Sequence, residues 1–396
     1  MIYSDFHGMK ISRLGFGCMR FATDPETGAI DQEKVNAMFK TAIAGGVNYF
    51  DTAYPYLGGN SEIAMAEALK DYPRESYFLA DKFPGHSLVS PVDNIQLFHR
   101  SLEKCGTDYF DFYLLHNISE YSIKTYEDPD YHIIPDIVKM KEEGKIRHLG
   151  FSFHGGIGLL KEVLSRYQGV FEFVQIQCNY LDWTLQKAKE AYEIITDAGL
   201  GVWVMESVRG GKLANLPEKA SSMLKAFDPD ASDASYGFRF LQDLPNVVVM
   251  LSGMNEVSQV EDNLKTFETH KPLSEAERKT LFEIAELLKQ GVPCTACRYC
   301  CDGCPMELDI PFLLDCYNSC KTGSGLIPIM RLEGLPEEKR PAACIQCGQC
   351  AHACPQHIDV PATLNELAEI FASGAKWSQT AQARDDEMRK DLGTNA

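Results

Sequence analysis

Two runs of cysteines near the C-terminus share one spacing. The members, each run followed by a proline, are Cys294, Cys297, Cys300 and Cys304, and then Cys344, Cys347, Cys350 and Cys354. Both runs read C-x2-C-x2-C-x3-C-P, the bacterial spacing for paired iron–sulfur clusters. Thiolates at these intervals can surround a cubane within a tight loop. The repeated spacing predicts two [4Fe–4S] clusters, and therefore chemistry that handles single electrons.

The fourth cysteine of such a run ligates the other cluster. This rule joins Cys354 to the first three cysteines of the first run, and Cys304 to the first three of the second. Cys301 competes with Cys300 as a ligand, whereas Cys316 and Cys320 are predicted to be buried apolar residues. Structural zinc is the alternative, but zinc usually takes two separated C-x2-C pairs.

Composition limits the partners and the compartment. The 396 residues carry a formal net charge of −18, so nucleic acid and anionic membrane are not expected partners. Docking to a basic redox protein remains open. We find no signal segment and no apolar run long enough to span a bilayer. Only Cys18, Cys105 and Cys178 precede residue 290, which argues against a disulfide framework and for a reducing, cytoplasmic setting.

Short apolar runs alternate with amphipathic segments over the first 270 residues or so. Predicted strands are 14–17, 48–52, 77–82, 110–116, 148–152, 173–177, 201–205 and 247–252. Predicted helices between and after them are 31–44, 61–70, 92–105, 185–198 and 257–264. This alternation predicts a (β/α)8 barrel, with a doubly wound open sheet as the alternative. Residues 1–12 suggest a hairpin, and the insertions 117–134 and 209–233 are candidate substrate loops.

The predicted domains follow from this pattern. Residues 1–270 form the barrel, 271–290 a helical linker containing a charged helix at 275–289, and 291–375 an α-helical, ferredoxin-like dicluster domain with helices at 310–321 and 360–372. The polar residues 376–396 are expected to be a frayed tail.

Four polar residues fall near the C-terminal ends of adjacent predicted strands: Asp51, Tyr56, Lys82 and His116. Active sites of barrels are built at these ends, so the four side chains can converge. Taken singly, each has an ordinary structural role, such as a helix cap, a solvated strand end or a satisfied core histidine.

The segment Phe50-Asp51-Thr52-Ala53-x-x-Tyr56, followed by Gly58-Gly59-Asn60-Ser61-Glu62, resembles the aldo/keto reductase family. The resemblance covers about the first 265 residues. It implies that Tyr56 is the acid/base, Lys82 tunes it, Asp51 pairs with the lysine, and His116 orients the carbonyl oxygen. A free tyrosine has a pKa near 10, so an adjacent cation would favour its phenolate.

The same resemblance implies an extended nicotinamide cofactor over the barrel mouth, without a Rossmann fingerprint. Expected contacts are Gly17, Met19 and Arg20 beneath the nicotinamide, Ser152, Gln177 and Asn179 at its amide, and Ser252, Gly253, Met254, Gln259 and Asn263 in the last strand region. Two departures stand out. Met205 replaces the tyrosine that stacks on nicotinamide in many members, and 252–263 lacks the cations that neutralise a 2′-phosphate. NADH is therefore predicted over NADPH.

The predicted function is NAD(P)-dependent interconversion of a small carbonyl compound and its alcohol, with a sugar among the candidates and the clusters as an electron relay. Nicotinamide exchanges two electrons and each cluster one, so a flavin that binds without a recognisable motif is not excluded. The alternatives are a plain reductase with structural clusters, and a redox-sensing module without catalysis.

Overall fold

The computed structural model describes residues 1–24, 26–289, 291–294, 296–323 and 325–394. The chain begins with an antiparallel hairpin of β1 (Tyr3–Phe6) and β2 (Met9–Ser12). The predicted hairpin is confirmed. Phe6 packs edge-on against Trp203 inside the barrel, with the ring centroids 4.9 Å apart. The hairpin thus covers the barrel end opposite the one where the strands terminate.

Eight parallel strands close into a barrel. They are β3 (Leu14–Gly17), β4 (Tyr49–Asp51), β5 (Phe78–Phe83), β6 (Phe110–Ile118), β7 (Ile146–Phe153), β8 (Phe173–Gln177), β9 (Gly201–Met205) and β10 (Val247–Ser252). Met250 on β10 pairs with Leu14 on β3, which closes the ring. The predicted (β/α)8 barrel is confirmed, and the open-sheet alternative is wrong.

Helices surround this barrel. They are α1 (Gln32–Ala44), α2 (Ser61–Leu69), α3 (Asn94–Lys104), α4 (Ile123–Glu127), α5 (Ile133–Glu142), α6 (Ile157–Arg166), α7 (Asp182–Leu185), α8 (Ala188–Asp197), α9 (Glu218–Lys225), α10 (Asp233–Gln242), α11 (Val257–Thr266) and α12 (Glu275–Leu288). Local signals set their starts. The Asp31 side chain accepts from the Lys34 amide at the start of α1, and Ser274 with Glu277 forms a capping box on α12.

The predicted linker packs onto the barrel. Leu281 and Ile284 of α12 are buried in the barrel's outer core, and Glu277 accepts from Arg239 of α10 at 2.8 Å. The α12 helix is therefore fixed against the barrel. Its apolar residues recur at helical spacing, which is how an amphipathic helix covers a core.

The cysteine-rich region is helical, as predicted. It contains α13 (Ile310–Lys321), α14 (Ile327–Glu333), α15 (Gln349–His352) and α16 (Val360–Ser373). Leu313 and Leu314 of α13 pack with Leu364 and Leu367 of α16 in a separate small core. Cys316 is fully buried and Cys320 half-buried, as an apolar role predicts.

The prediction of a frayed tail is wrong, because α17 (Trp377–Asp391) is a helix. Its buried residues Trp377, Ala381, Asp385 and Met388 share one face. Trp377, Ala381 and Met388 pack in apolar clusters, whereas Asp385 accepts from the Val89 amide of the barrel. The polar contacts leave no periodic pattern in the sequence. No helix among the described residues is long and apolar enough to cross a membrane.

Candidate functional site

The four predicted catalytic residues lie together at the C-terminal mouth of the barrel, and we call this set the catalytic corner. Lys82 of β5 donates to Asp51 of β4 at 2.5 Å and to the Thr52 carbonyl at 2.6 Å. Its ammonium lies 5.0 Å from the Tyr56 ring centroid. The Tyr56 and His116 rings meet edge-on, with centroids 5.6 Å apart. A buried cation therefore lies beside a tyrosine and an imidazole.

Burial and charge act in opposite directions on this corner. Burial lowers the pKa of Lys82, but the Asp51 carboxylate and Tyr56 more than offset it, so the net pKa is raised. Burial raises the pKa of Tyr56, and the lowering by Lys82 only partly opposes that rise. The lysine therefore stays charged and the tyrosine keeps its proton at neutral pH.

Two histidines at the mouth are neutral. Burial lowers the pKa of His116 and of His86 well below the usual value, and nearby charges lower both further. Their rings lie 4.3 Å apart. His86 sits in a short turn after β5, and the sequence offered no motif for it. Tyr126 of α4, in the predicted substrate insertion, donates to the carbonyls of His116 and Phe83 and so fixes that strand end.

The predicted cofactor residues lie at the same rim, on the side formed by β7 to β10 and β3. Ser152 is the penultimate residue of β7 and accepts from the Asn117 backbone amide at 2.7 Å. Ser252 ends β10 and accepts from Asn263 at 3.0 Å. Gly17 and Met205 end β3 and β9, and Met205 is half-buried.

Asp182, which the sequence analysis did not identify, holds several side chains of this rim in place. Its carboxylate accepts from Gln177 at 2.8 Å and from Asn179 at 2.6 Å, and Arg209 lies 3.3 Å away. The Asn179 amide also donates to the Glu206 carbonyl, and its oxygen accepts from two backbone amides. Asn179 therefore holds the loop with every polar group engaged. Burial raises the pKa of Asp182, although Arg209 lowers it.

Most of the remaining rim residues are more exposed. Met19 is 49% exposed, and Arg20 pairs with Glu206 at 3.4 Å. Gly253 is exposed, Met254 is buried, and exposed Gln259 accepts from the Asn255 amide at 2.9 Å. These side chains follow β3 and β10, which are neighbours in the barrel.

The eight cysteines of the two runs line two small hollows. Hollow A is lined by Cys294, Cys297, Cys300 and Cys354. Hollow B is lined by Cys304, Cys344, Cys347 and Cys350. Each hollow thus takes three cysteines from one run and one from the other, the arrangement that paired clusters require. Cys300 lines hollow A, and Cys301 is absent from the described lining of both hollows.

The backbone of the two runs repeats as well. Left-handed conformations recur at matching places, namely at Ala296 and Gln346, at Arg298 and Gly348, and at Glu307 and His357. A non-glycine residue adopts this conformation at a cost, so its repetition indicates a functional constraint. Four convergent thiols within apolar walls suit a [4Fe–4S] cluster.

The cysteine domain docks onto barrel loops. Arg331 of α14, 10% exposed, pairs with Asp315 of α13 at 2.7 Å and with Glu120 after β6 at 3.6 Å. Lys212, in the predicted second insertion, donates to the Thr322 carbonyl at 3.0 Å. The α13 helix also packs against α7, which begins at Asp182.

The α17 helix docks on the other side of the mouth. Asp391 accepts from Tyr54 at 2.6 Å and pairs with Arg100 at 2.7 Å. Trp377 stacks on His86 with centroids 5.4 Å apart. Tyr54 therefore anchors this helix.

Comparisons with known proteins agree with this architecture. The model of the aldo/keto reductase family matches residues 13–286, and the model of a 4Fe-4S dicluster domain matches residues 293–358. The chain therefore belongs to the aldo/keto reductase family, as an oxidoreductase of the carbonyl/alcohol type, and carries a 4Fe-4S dicluster domain.

Individual relatives are distant. A probable aldo-keto reductase 1 from Glycine max is 26% identical over 203 residues, covering 49% of this chain and 55% of that protein. The NADH-specific methylglyoxal reductase of Escherichia coli (strain K12) is 25% identical over 326 residues, covering 71% of this chain and 97% of that protein. The holo form of an aldo-keto reductase from Bacillus halodurans is 25% identical with a TM-score of 0.56, over 70% of this chain and 93% of that one.

Proposed function

We propose that the barrel reduces a small carbonyl compound to its alcohol, with Tyr56 as the proton donor. The buried Lys82–Asp51 pair beside Tyr56 and His116 carries this proposal. A neutral Tyr56 hydroxyl can protonate a carbonyl oxygen as negative charge develops there. Lys82 stabilises the phenolate left behind, and Asp51 keeps Lys82 charged and in place. Neutral His116 can hydrogen-bond the same oxygen without competing as an acid.

A nicotinamide cofactor would supply the hydride. Ser152 and Gln177 fit its amide best, because neither side chain has used all of its hydrogen-bonding capacity within the described residues. The Asn179 side chain already uses all of its hydrogen-bonding groups, so a contact between Asn179 and the nicotinamide amide would require a rearranged loop. Met205 offers a soft, polarisable surface in place of an aromatic ring.

NADH is the proposed form. No lysine or arginine occurs in 252–263. Cations beside this rim already have carboxylate partners, Lys34 with Glu256 at 2.8 Å, Arg20 with Glu206 and Arg209 with Asp182. A 2′-phosphate would have to displace one of these carboxylates, whereas a ribose hydroxyl would not. A relative named an NADH-specific methylglyoxal reductase is consistent with this choice.

We also propose that the clusters relay electrons between the mouth and a redox protein. Leu314 of α13 lines hollow A, and the next residue, Asp315, binds Arg331 at the barrel interface. The same helix packs on α7, whose Asp182 binds Gln177 at the nicotinamide side. Hollow A thus lies behind the cofactor rim. Exposed Ile345 on the wall of hollow B leaves that hollow accessible to a partner.

A structural role for the clusters is the second candidate, because the cysteine domain buries Arg331 and Met330 against the barrel. A cluster that folds this domain would complete the mouth without passing electrons. A sensor without catalysis fits less well, since it has no use for a complete catalytic corner. A flavin remains a candidate for converting between two-electron and one-electron steps.

All fourteen cysteines are free of disulfides, which suits a reducing, cytoplasmic setting.

Anaerobic mixing of cluster-loaded protein with NADH separates the two roles. Reduction of the two clusters by NADH or by the alcohol, one electron to each cluster, followed by visible absorption and electron paramagnetic resonance, supports the relay. Unchanged turnover in a folded Cys347→Ser variant supports the structural role. No NADH oxidation with any small aldehyde, ketone or sugar would reject the proposed reductase.

A further inference from the structure

One basic residue of α17, Arg384, reaches into the barrel mouth. Its guanidinium lies 3.5 Å from the His86 imidazole and 5.2 Å from the centre of the Trp377 ring. His86 in turn touches His116, whose ring faces Tyr56. The half-buried Arg384 is therefore one imidazole away from the catalytic corner.

Arg384 has no carboxylate within ion-pair distance among the described residues. The next arginine along the helix, Arg389, pairs with Asp385 at 2.6 Å. Burial lowers the pKa of Arg384, with only Tyr56 and Glu387 raising it. A partly buried guanidinium beside neutral imidazoles lacks the counter-charge that such groups normally have.

The position of Arg384 separates it from the proposed cofactor site. Its neighbour His86 follows β5 and His116 lies near the end of β6, whereas the predicted nicotinamide contacts lie at or after the ends of β7 to β10 and β3. The barrel order places these two groups of strands on different sides of the mouth. An anion bound by Arg384 would therefore belong to the substrate rather than to the cofactor.

We propose that Arg384 binds a carboxylate of the substrate, and that the carbonyl compound reduced at Tyr56 is an oxo acid. This identification of the substrate rests on the proposed reductase function, but the carboxylate site does not. Guanidinium binds carboxylate through two parallel hydrogen bonds, and the Trp377 ring supports its flat face. The carbonyl carbon of such a substrate would lie between Arg384 and the catalytic corner.

The attachment of α17 keeps Arg384 in position. Asp391 binds Tyr54 and Arg100 at one end of the helix, and Trp377 stacks on His86 at the other. In the middle, Asp385 accepts from the Val89 amide of the barrel at 3.3 Å. Both ends and the middle are thus tied to the elements that carry the corner.

The test uses oxo acids of increasing length and their methyl esters: pyruvate, acetoacetate, 4-oxopentanoate and 5-oxohexanoate. Steady-state rates with NADH are measured for the full-length, cluster-loaded protein. One acid should exceed its ester in kcat/KM by at least about tenfold, the scale of a hydrogen bond to a charged group. Arg384→Gln should remove that preference by raising the KM for the acid about 10- to 100-fold, so that acid and ester give similar kcat/KM values.

Two further variants act as controls. Lys390→Gln removes a positive charge from an exposed position of the same helix, and it should leave the acid preference unchanged. Arg384→Lys should restore part of the acid binding, because lysine keeps the charge but not the paired hydrogen bonds. An equal loss for acids and esters in Arg384→Gln would overturn the proposal, as would the absence of any acid preference in the unaltered protein.

Calorimetric titration of the same acids, with and without saturating NAD⁺, separates this proposal from the proposed reductase function. Acid binding that disappears in Arg384→Gln, in a protein that turns over none of the compounds, would support the carboxylate site and reject the reductase. Equal acid binding by both proteins would reject the carboxylate site and leave the reductase standing.

Discussion

The catalytic corner and the two cysteine hollows are both assembled from residues distant in sequence, but they differ in how complete they are. In the corner, the Lys82 ammonium donates hydrogen bonds to Asp51 and to the Thr52 carbonyl, so these buried groups are paired. In each hollow, four thiols converge on one space, and the described linings contribute a single cation, Arg298 at hollow A. The corner can therefore be preformed by the barrel alone, whereas we expect the order of the hollows to depend on a bound metal cluster.

The largest expected effect comes from removing one cluster ligand. Cys300→Ser should cost hollow A its cluster and about half of the bound iron. Metal sites can contribute on the order of 10 kcal/mol to folding, so the cysteine domain should lose its cooperative unfolding transition. Cys301→Ser, one residue further on, is the matched control and should keep all the iron. Iron analysis with calorimetry checks both, and equal loss in the two variants would contradict the assignment.

A substitution in the catalytic corner should lower activity and leave the stability of the fold nearly unchanged. Tyr56→Phe removes the proton donor and should lower kcat by about 10²- to 10⁴-fold, with little change in the barrel's melting temperature. Tyr54→Phe is the matched control, because Tyr54 faces Asp391 instead of the corner. Steady-state assays and circular dichroism measure the two effects. Retained turnover in Tyr56→Phe would show that another group donates the proton.

The attachment of the cysteine domain to the barrel should depend on Arg331. Arg331→Met leaves Asp315 and Glu120 facing each other without the cation that now joins them. Breaking such a pair costs about 3–5 kcal/mol when it is fully buried, and less at this partly wet interface. Limited proteolysis should then release the cysteine domain from an intact barrel. A proteolysis pattern identical to that of the unaltered protein would mean that other contacts hold the interface.

Acidic pH should lower the stability of the structure around the barrel mouth. Burial, followed by the Arg331 charge, lowers the pKa of His154 to about 4, and His86 and His116 are lowered as well. The unfolded chain binds these protons below about pH 6.5, whereas the folded protein does not until lower pH. The free energy of unfolding should therefore fall from pH 6.5 towards pH 4. Hydrogen exchange of the backbone amides in α4 and α17 measures this change. Exchange protection that stays constant from pH 6.5 to pH 4 would contradict the lowered histidine pKa values.

The smallest expected effect is at the anchor of α17. Tyr54→Phe removes one hydrogen bond to Asp391, while Arg100 and Lys104 still bind that carboxylate. A loss of about 1 kcal/mol is expected, because the carboxylate keeps other partners. Chemical denaturation followed at Trp377 should show the change. A loss several times larger would mean that Tyr54 alone holds the helix.

The sequence predicted most of the barrel but little of what covers its mouth. Strands such as Leu14–Gly17 and Gly201–Met205 were predicted to the residue, because continuous apolar runs mark buried parallel strands. The catalytic corner followed from strand ends and a family motif. His86 and Asp182 carry no motif, and their roles depend on which loops meet. The α17 helix binds through Asp391 and Asp385 to residues about 300 positions away, and no local pattern records such pairs.

Transfer of deuterium from NADH tests the central claim most directly. Cluster-loaded protein is given NADH carrying deuterium on the reactive face of C4, together with its best carbonyl substrate, and the alcohol is analysed by mass spectrometry. We predict one deuterium on the former carbonyl carbon, and loss of this product in Tyr56→Phe. An alcohol that carries only solvent hydrogen at that carbon would contradict hydride transfer at the catalytic corner.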